Sequence, residues 1–152
     1  MIARGERAPD FEGRSSSGET LSLSSLRGRA LILYFFPKSG TPGCTRESLE
    51  FATLHRDFEQ RGIGIVGVSV DSTEDLREFQ EHCKLPFPLI SDHERTIARE
   101  YGVLGALGYA KRVTFYIDPE GRVSDVIEGF LPGPHVRWAR GLLHDRSPPK
   151  PP

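Results

Sequence analysis

The chain has 152 residues and carries 20 Lys and Arg against 21 Asp and Glu. A balance that close excludes a protein whose main work is neutralising phosphates, and equally an acidic disordered solubiliser. Its longest apolar run, Ala30 to Phe36, is far short of the ~20 residues a bilayer-spanning helix needs. Residues 1–7 lack the apolar stretch of a secretory signal, so a cytoplasmic chain that avoids nucleic acid and membrane is expected. A domain of this size buries roughly 70% of its unfolded surface, so neither metal nor disulfide is required to hold it. The two cysteines, Cys44 and Cys83, are therefore either small buried hydrophobes or chemistry.

From Ala8 to Leu26 the chain is rich in Gly and Ser with short alternations such as Leu21-Ser22-Leu23, which predicts a small β-hairpin and a short turn near Ser24–Arg27. Ala30–Phe36 is continuously apolar between Gly28 and Pro37, the signature of a strand buried on both faces. Pro37–Gly43 reads as a loop. Thr41 suits the N-cap and Pro42 the first position of the helix that follows. Phe51, Leu54 and Phe58 recur at helical spacing until Gly62. Ile63–Val70 is a second buried strand, followed by an Asp71/Ser72 cap and a helix to about Cys83. A short strand over 86–90 follows, then a helix capped by Asp92 that ends at Gly102. Strands at 112–117 and 122–126 flank the turn signal Asp118-Pro-Glu-Gly121, and a last helix runs from about Pro134 to His144.

Strand alternating with helix, then a hairpin and a helix, predicts an α/β fold: a mixed central sheet flanked by helices, with an N-terminal β-hairpin. A thioredoxin-like core is one such arrangement. The domain is expected to span 1–146, with a Pro-rich tail at 147–152 that cannot hold a helix.

Gly62-Ile-Gly-Ile-Val-Gly67 fits G-x-G-x-x-G literally. Its glycines fall inside a strand, however, where the dinucleotide fingerprint needs them at a helix start; close packing against a neighbour is the better reading. The five histidines show neither i,i+4 pairing nor a cysteine cluster, so each is expected at the surface or at a cap, and no metal or cofactor is implied.

Cys44 lies in the first turn of a helix that follows a buried strand. There, unpaired backbone amides and the positive end of the helix dipole stabilise a thiolate. Thr41 places a hydroxyl within reach of that sulfur or its reaction partner, and Pro37 closes the strand. On position alone, a structural cysteine at a helix start explains the residue equally well.

The segment Tyr34-Phe-Phe-Pro-Lys-Ser-Gly-Thr-Pro-Gly-Cys-Thr-Arg-Glu47 resembles the peroxiredoxins, and more closely their peroxiredoxin Q (bacterioferritin-comigratory) branch with its Thr-Pro-Gly-Cys-Thr signature. Ala8-Pro-Asp-Phe11, Gly67-Val-Ser-Val-Asp71, Leu85-Pro-Phe-Pro-Leu-Ile-Ser-Asp92, Tyr101-Gly-Val103 and Arg112-Val-Thr-Phe-Tyr-Ile-Asp118 are similar to that family's blocks, in the family's order. The resemblance implies a thiol peroxidase on a thioredoxin-like fold, acting on hydrogen peroxide and small organic hydroperoxides. It makes Cys44 the peroxidatic cysteine, Thr41 its hydroxyl partner and Arg112 the guanidinium beside the thiolate. An arginine among Val113, Phe115 and Ile117 is costly to bury unpaired, so an anionic partner is expected; an ordinary edge-strand arginine is the plainer alternative. Glu47, one helical step from Cys44, is placed to hydrogen-bond Arg112, although the helix dipole alone favours an acid there.

Many peroxiredoxin Q chains carry a resolving cysteine five residues after the peroxidatic one, where this chain has Leu49. The resemblance leaves Cys83 as the resolving candidate. Leu76, Phe79 and Cys83 also form a stripe that faces a core, which fits a packing role. The expected reductant is thioredoxin or a similar dithiol. A monomer is expected, with a dimer open. Competing readings are a one-cysteine peroxidase resolved by an external thiol and a non-enzymatic redox sensor. Cys44-Thr-Arg-Glu47 lacks the C-x-x-C of a disulfide reductase.

Overall fold

A computed structural model describes residues 1–144; the expected tail and the end of the expected domain lie outside the described residues. The elements in chain order are β1 (Glu12–Ser15), β2 (Thr20–Ser22), a 3-10 turn (Ser24–Leu26), β3 (Ala30–Phe35), α1 (Pro42–Gln60), β4 (Ile63–Ser69), α2 (Thr73–Cys83), β5 (Leu89–Ser91), α3 (Thr96–Tyr101), β6 (Val113–Ile117), β7 (Val123–Glu128) and α4 (Pro132–His144). They build a 7-stranded sheet of order β2-β1-β5-β4-β3-β6-β7. The crossover helices make β3, β4 and β5 parallel neighbours, and β6 and β7 pair antiparallel at one side. This is the thioredoxin-like arrangement expected from the order of elements. The N-terminal hairpin does not stand apart: β1 pairs antiparallel with β5 and extends the sheet.

Alternation along β3 sorts the core into two layers, because successive strand side chains point to opposite faces. Leu31, Leu33 and Phe35 join Phe115, Ile97 and Tyr101 on the face covered by α3. Ile32, Tyr34 and Phe36 meet Phe51, Phe58, Leu76, Phe79 and Val136 from α1, α2 and α4 on the other. Burying an aromatic side chain of this kind contributes about 1.5–3 kcal/mol, so α1 is held by its apolar stripe rather than by helix propensity.

Gly67 explains the glycine pattern in β4. A Cβ there would lie 2.7 Å from Leu89 Cδ2 and 2.8 Å from Tyr34 Cζ, closer than carbon atoms pack. The glycine is a close-approach residue inside a strand, as read from the sequence.

Several boundaries differ from expectation. The strand over 86–90 shrinks to Leu89–Ser91, since Pro86 and Pro88 lack the amide a ladder needs. α3 begins at Thr96, after a left-handed Arg95, yet Asp92 still accepts from the amides of Ile97 and Ala98 at 3.0 and 2.8 Å. α4 starts at Pro132. Ser72 alone caps α2, accepting from Asp75 N at 3.2 Å, and Asp71 turns elsewhere.

Candidate active site

The sheet order brings the site together. β3 and β6 are antiparallel neighbours with Phe35 opposite Val113. The residue before β6, Arg112, therefore lies beside the loop that leaves the end of β3. That loop, Pro37–Gly43, has no buried residue, and it delivers Cys44 into the first turn of α1, where the Gly43 and Cys44 amides have no helical acceptor. Cys44 has 0% exposed surface, so the thiol sits beneath that first turn rather than in an open cleft.

Arg112, 6% exposed, spends its fork on three partners. Nη2 donates to Cys44 Sγ at 3.4 Å, Nη1 to Glu47 Oε1 at 2.6 Å and Nε to the Phe130 carbonyl at 2.7 Å. The anionic partner expected for a buried arginine is thus Glu47, in a pair whose side chains are 4% and 0% exposed. Burial works against the charge on Arg112, but Glu47 and Cys44 outweigh it and hold the guanidinium above its ordinary value. Burial dominates at Glu47: its carboxyl is pushed up to about 7 against the pull of Arg112. Glu47 Oε2 has no hydrogen-bond partner among the described residues.

Thr41 occupies the N-cap position, but its hydroxyl donates to Lys38 O at 2.7 Å instead of capping α1. Its lone pairs stay available as acceptors three residues before Cys44, directly ahead of the sulfur-bearing turn. Pro37, at the end of β3, is half-buried at the base of the same loop. Gly43 is confined by the fork, since a Cβ there would lie 3.1 Å from Arg112 Nη2.

Two further groups hold these parts in place. Asp71 Oδ2 accepts from Ser39 N at 2.8 Å and Ser69 Oγ at 2.6 Å, tying the Pro37–Gly43 loop to the end of β4. His135 is fully buried, contrary to the expectation that every histidine lies at the surface or at a cap. Its Nε2 donates to Gly129 O at 2.9 Å, which leaves Nδ1 to accept from the Thr114 hydroxyl at 2.8 Å. That tautomer is neutral, in keeping with burial and the nearby Arg112 charge lowering its pKa. Together His135 and Arg112 fix the β7–α4 turn whose carbonyls they share. A histidine between Pro134 and Val136 gives no sequence signal for this, because its partner Thr114 lies on a different element.

Cys83 is the last residue of α2 and is half-buried against the same core layer as Cys44. Burial pushes its thiol up. Both cysteines are free. α1 and α2 leave the same end of the sheet, from parallel β3 and β4. Cys44 is in the first turn of one helix, and Cys83 is about three turns down the other. The Tyr34 hydroxyl is paired with Ser48 Oγ at 2.8 Å and is within electrostatic reach of both thiols. Leu49, at the branch's commoner resolving position, is 42% exposed on α1.

Residues 4–126 match the AhpC/TSA family. Peroxiredoxin Bcp of Bacillus subtilis is 38% identical over 153 residues, covering 96% of this chain and 98% of its own. Among solved structures, peroxidoxin BcpB of Mycobacterium tuberculosis superposes with a TM-score of 0.89 at 33% identity, covering 97% of this chain and 99% of that one. A Xanthomonas campestris bacterioferritin comigratory protein, described for its alkyl peroxide reduction activity, gives 0.82 at 30% identity over 88% of this chain and 90% of that one.

Proposed function

Because the chain belongs to the AhpC/TSA family and, within it, to the peroxiredoxin Q branch, it is a thiol peroxidase, and we propose that Cys44 is the sulfur that meets the peroxide. The observation that carries this is the Arg112 Nη2 donor 3.4 Å from Cys44 Sγ, at the amino end of α1. A cation and unpaired amides around one sulfur favour its thiolate, which is the nucleophile. The thiolate attacks one peroxide oxygen, an S–O bond forms as the O–O bond breaks, and the departing oxygen takes the charge and then a proton. Donors fixed before that charge develops stabilise the transition state more than the ground state. Arg112 is such a donor, and the Thr41 hydroxyl, half-exposed in the loop, accepts from the peroxide's own hydroxyl.

Since Cys44 has no exposed surface, the peroxide enters when the first turn of α1 parts from the Pro37–Gly43 loop. Small hydroperoxides, hydrogen peroxide and short alkyl hydroperoxides, suit such an opening. The product is a Cys44 sulfenic acid, which Cys83 condenses to a disulfide with loss of water. A disulfide needs Cα atoms within roughly 7 Å, and unwinding of the last turn of α2 together with the first of α1 is the movement proposed to bring them there. Lys84, held at φ 52 directly after Cys83, places backbone strain where that unwinding starts. The family is reduced by thioredoxin-like dithiols in general; thioredoxin itself is the reductant proposed here, with the chain acting as a monomer in a reducing cytoplasm.

One observation favours a second reading. The three turns of intact α2 between its start and Cys83 suit resolution of Cys44 by an external thiol. Mass spectrometry of peroxide-treated protein, digested without reductant, separates the two: a Cys44–Cys83 bridge supports internal resolution, and Cys44 trapped as an oxidised acid supports the external route. Cys83→Ser is expected to leave the first reaction with peroxide unchanged and to stop turnover with thioredoxin. Full turnover by that variant would make Cys83 a packing residue, and a Cys44 that survives peroxide unmodified would remove the assignment altogether.

A further inference from the structure

Two acids share one base at this site. Arg112 donates through Nη2 to Cys44 Sγ and through Nη1 to Glu47 Oε1, at 3.4 and 2.6 Å. Both acidic side chains are fully buried. With both ionised, the cluster would carry a net negative charge out of contact with water, an expensive state for a buried group of ions. Holding one proton between the two acids leaves the cluster neutral.

Among the described residues, no neighbouring group offsets a second negative charge. Tyr34, on β3, faces Glu47 and both thiols with its phenol raised well above its usual range by burial, so it stays neutral. His135, on α4, is held in its neutral form beside Arg112. On α1 itself the other buried polar neighbour is the Ser48 hydroxyl, which is paired with Tyr34.

We propose that Glu47 and Cys44 hold a single proton between them over Arg112, and that Glu47 surrenders it when the sulfur is oxidised, so that the departing oxygen is neutralised without a proton from solvent. The step balances. Thiolate, carboxylic acid and hydroperoxide give sulfenic acid, carboxylate and alcohol; the S–O bond forms, the O–O bond breaks, the peroxide is reduced by two electrons taken from sulfur, and the carboxyl proton ends on the alcohol. The cluster is neutral before and after, because the charge that leaves the sulfur reappears on Glu47 opposite the same guanidinium. The unpartnered Oε2 is the atom that carries the proton in the reduced state. A carboxyl already pushed up to about 7 by burial lies in the range where losing a neighbouring negative charge changes its ionisation. Glu47 does not touch the sulfur; it stores the proton on Oε2 until the first turn of α1 parts to admit the peroxide, and passes it to the departing oxygen there.

This inference rests on Cys44 being the oxidised sulfur, and the experiment keeps the two claims apart. Reduced protein is mixed with hydrogen peroxide at pH 6.5, below the value of about 7 at which Glu47 loses its proton, in weakly buffered solution containing a pH indicator, and thiol loss is counted in parallel. The expected result is close to one proton taken up per thiol lost in Glu47→Gln and less than half a proton in the wild type. Equal uptake in the two proteins, whatever its value, overturns the stored proton while leaving the peroxidase assignment intact. Absence of thiol loss on Cys44 overturns the peroxidase assignment itself. A second measurement needs no variant: infrared difference spectra of wild-type protein, with and without carbon-13 glutamate, should show a protonated carboxylic acid band that disappears on adding peroxide and shifts with the label. If no labelled acid band is lost, the proposal fails.

Discussion

Replacing Arg112 by methionine removes the cation that, among the described residues, touches both Cys44 and Glu47, while keeping much of the stem's volume. Three directed bonds vanish, at 3.4, 2.6 and 2.7 Å, to Cys44, Glu47 and the Phe130 carbonyl. For the reaction, the lost donor is the one proposed above to stabilise the charge that develops on the peroxide. Removing a single preorganised donor of that kind costs about 2.7–4 kcal/mol, a slowing of roughly 10²–10³. For stability, the usual penalty of about 3–5 kcal/mol for stranding a buried charge does not apply at pH 6, because Glu47 already takes a proton at about 7 and is neutral there. The deficit grows as the pH rises. Without Arg112, Glu47 keeps its proton in the folded state while the unfolded carboxyl is ionised, so the variant goes on losing about 1.4 kcal/mol per pH unit where the wild type levels off. Competition with a haem peroxidase for hydrogen peroxide gives the rate, and denaturant unfolding at pH 6 and pH 8 gives the stability. A rate within about threefold of wild type, or a stability deficit that stays constant between the two pH values, would refute this account of the fork.

The same carboxyl makes a prediction for the intact protein. A folded pKa raised from 4.5 to about 7 contributes stability that is complete below 4.5 and is lost as the pH rises through 7; the difference between wild type and Glu47→Gln should therefore fall by about 3 kcal/mol across that window, read from denaturant midpoints, and a flat difference would mean Glu47 is ionised throughout. Gly43→Ala sets a Cβ 3.1 Å from Arg112 Nη2 and is expected to slow the peroxide reaction about tenfold, the effect of some 1.4 kcal/mol, with little change in melting temperature. Gly67→Ala drives a methyl into Leu89 and Tyr34 and should cost about 1–3 kcal/mol by overpacking, read by chemical denaturation, with thiol chemistry retained.

Much of the fold was legible because it is written in local terms. Apolar runs bounded by Gly28, Pro37 and Gly62 marked β3 and the end of α1, and Thr41-Pro42 marked its start. Cys44 could be placed at a helix N-terminus for the same reason. What could not be read were contacts made across the sheet. Asp71 reads as a helix cap because it stands next to Ser72, yet its carboxylate faces Ser39 in the active-site loop. His135 looks like a surface residue on a polar helix start until β6 supplies Thr114. Leu89–Ser91 is shorter than its hydrophobicity suggests, because Pro86 and Pro88 withdraw the amides that would have extended it.

The Arg112 site shows where the boundary falls. Burial among Val113, Phe115 and Ile117 is enough to require an anion for Arg112, and that much follows from one strand. Which anion it meets depends on β6 lying beside β3 rather than beside β4, a choice that no local pattern encodes. Once Phe35 stands opposite Val113, Arg112 must face the turn that enters α1, and residues one helical step apart on that helix, Cys44 and Glu47, fall on the same side of it. A sheet in which β6 did not pair with β3 would take Arg112 away from the loop that leads from β3 into α1. The chemistry therefore depends on the order of the strands more than on any one element, and substitutions that weaken the β3–β6 ladder should reduce peroxide reactivity before they unfold the chain.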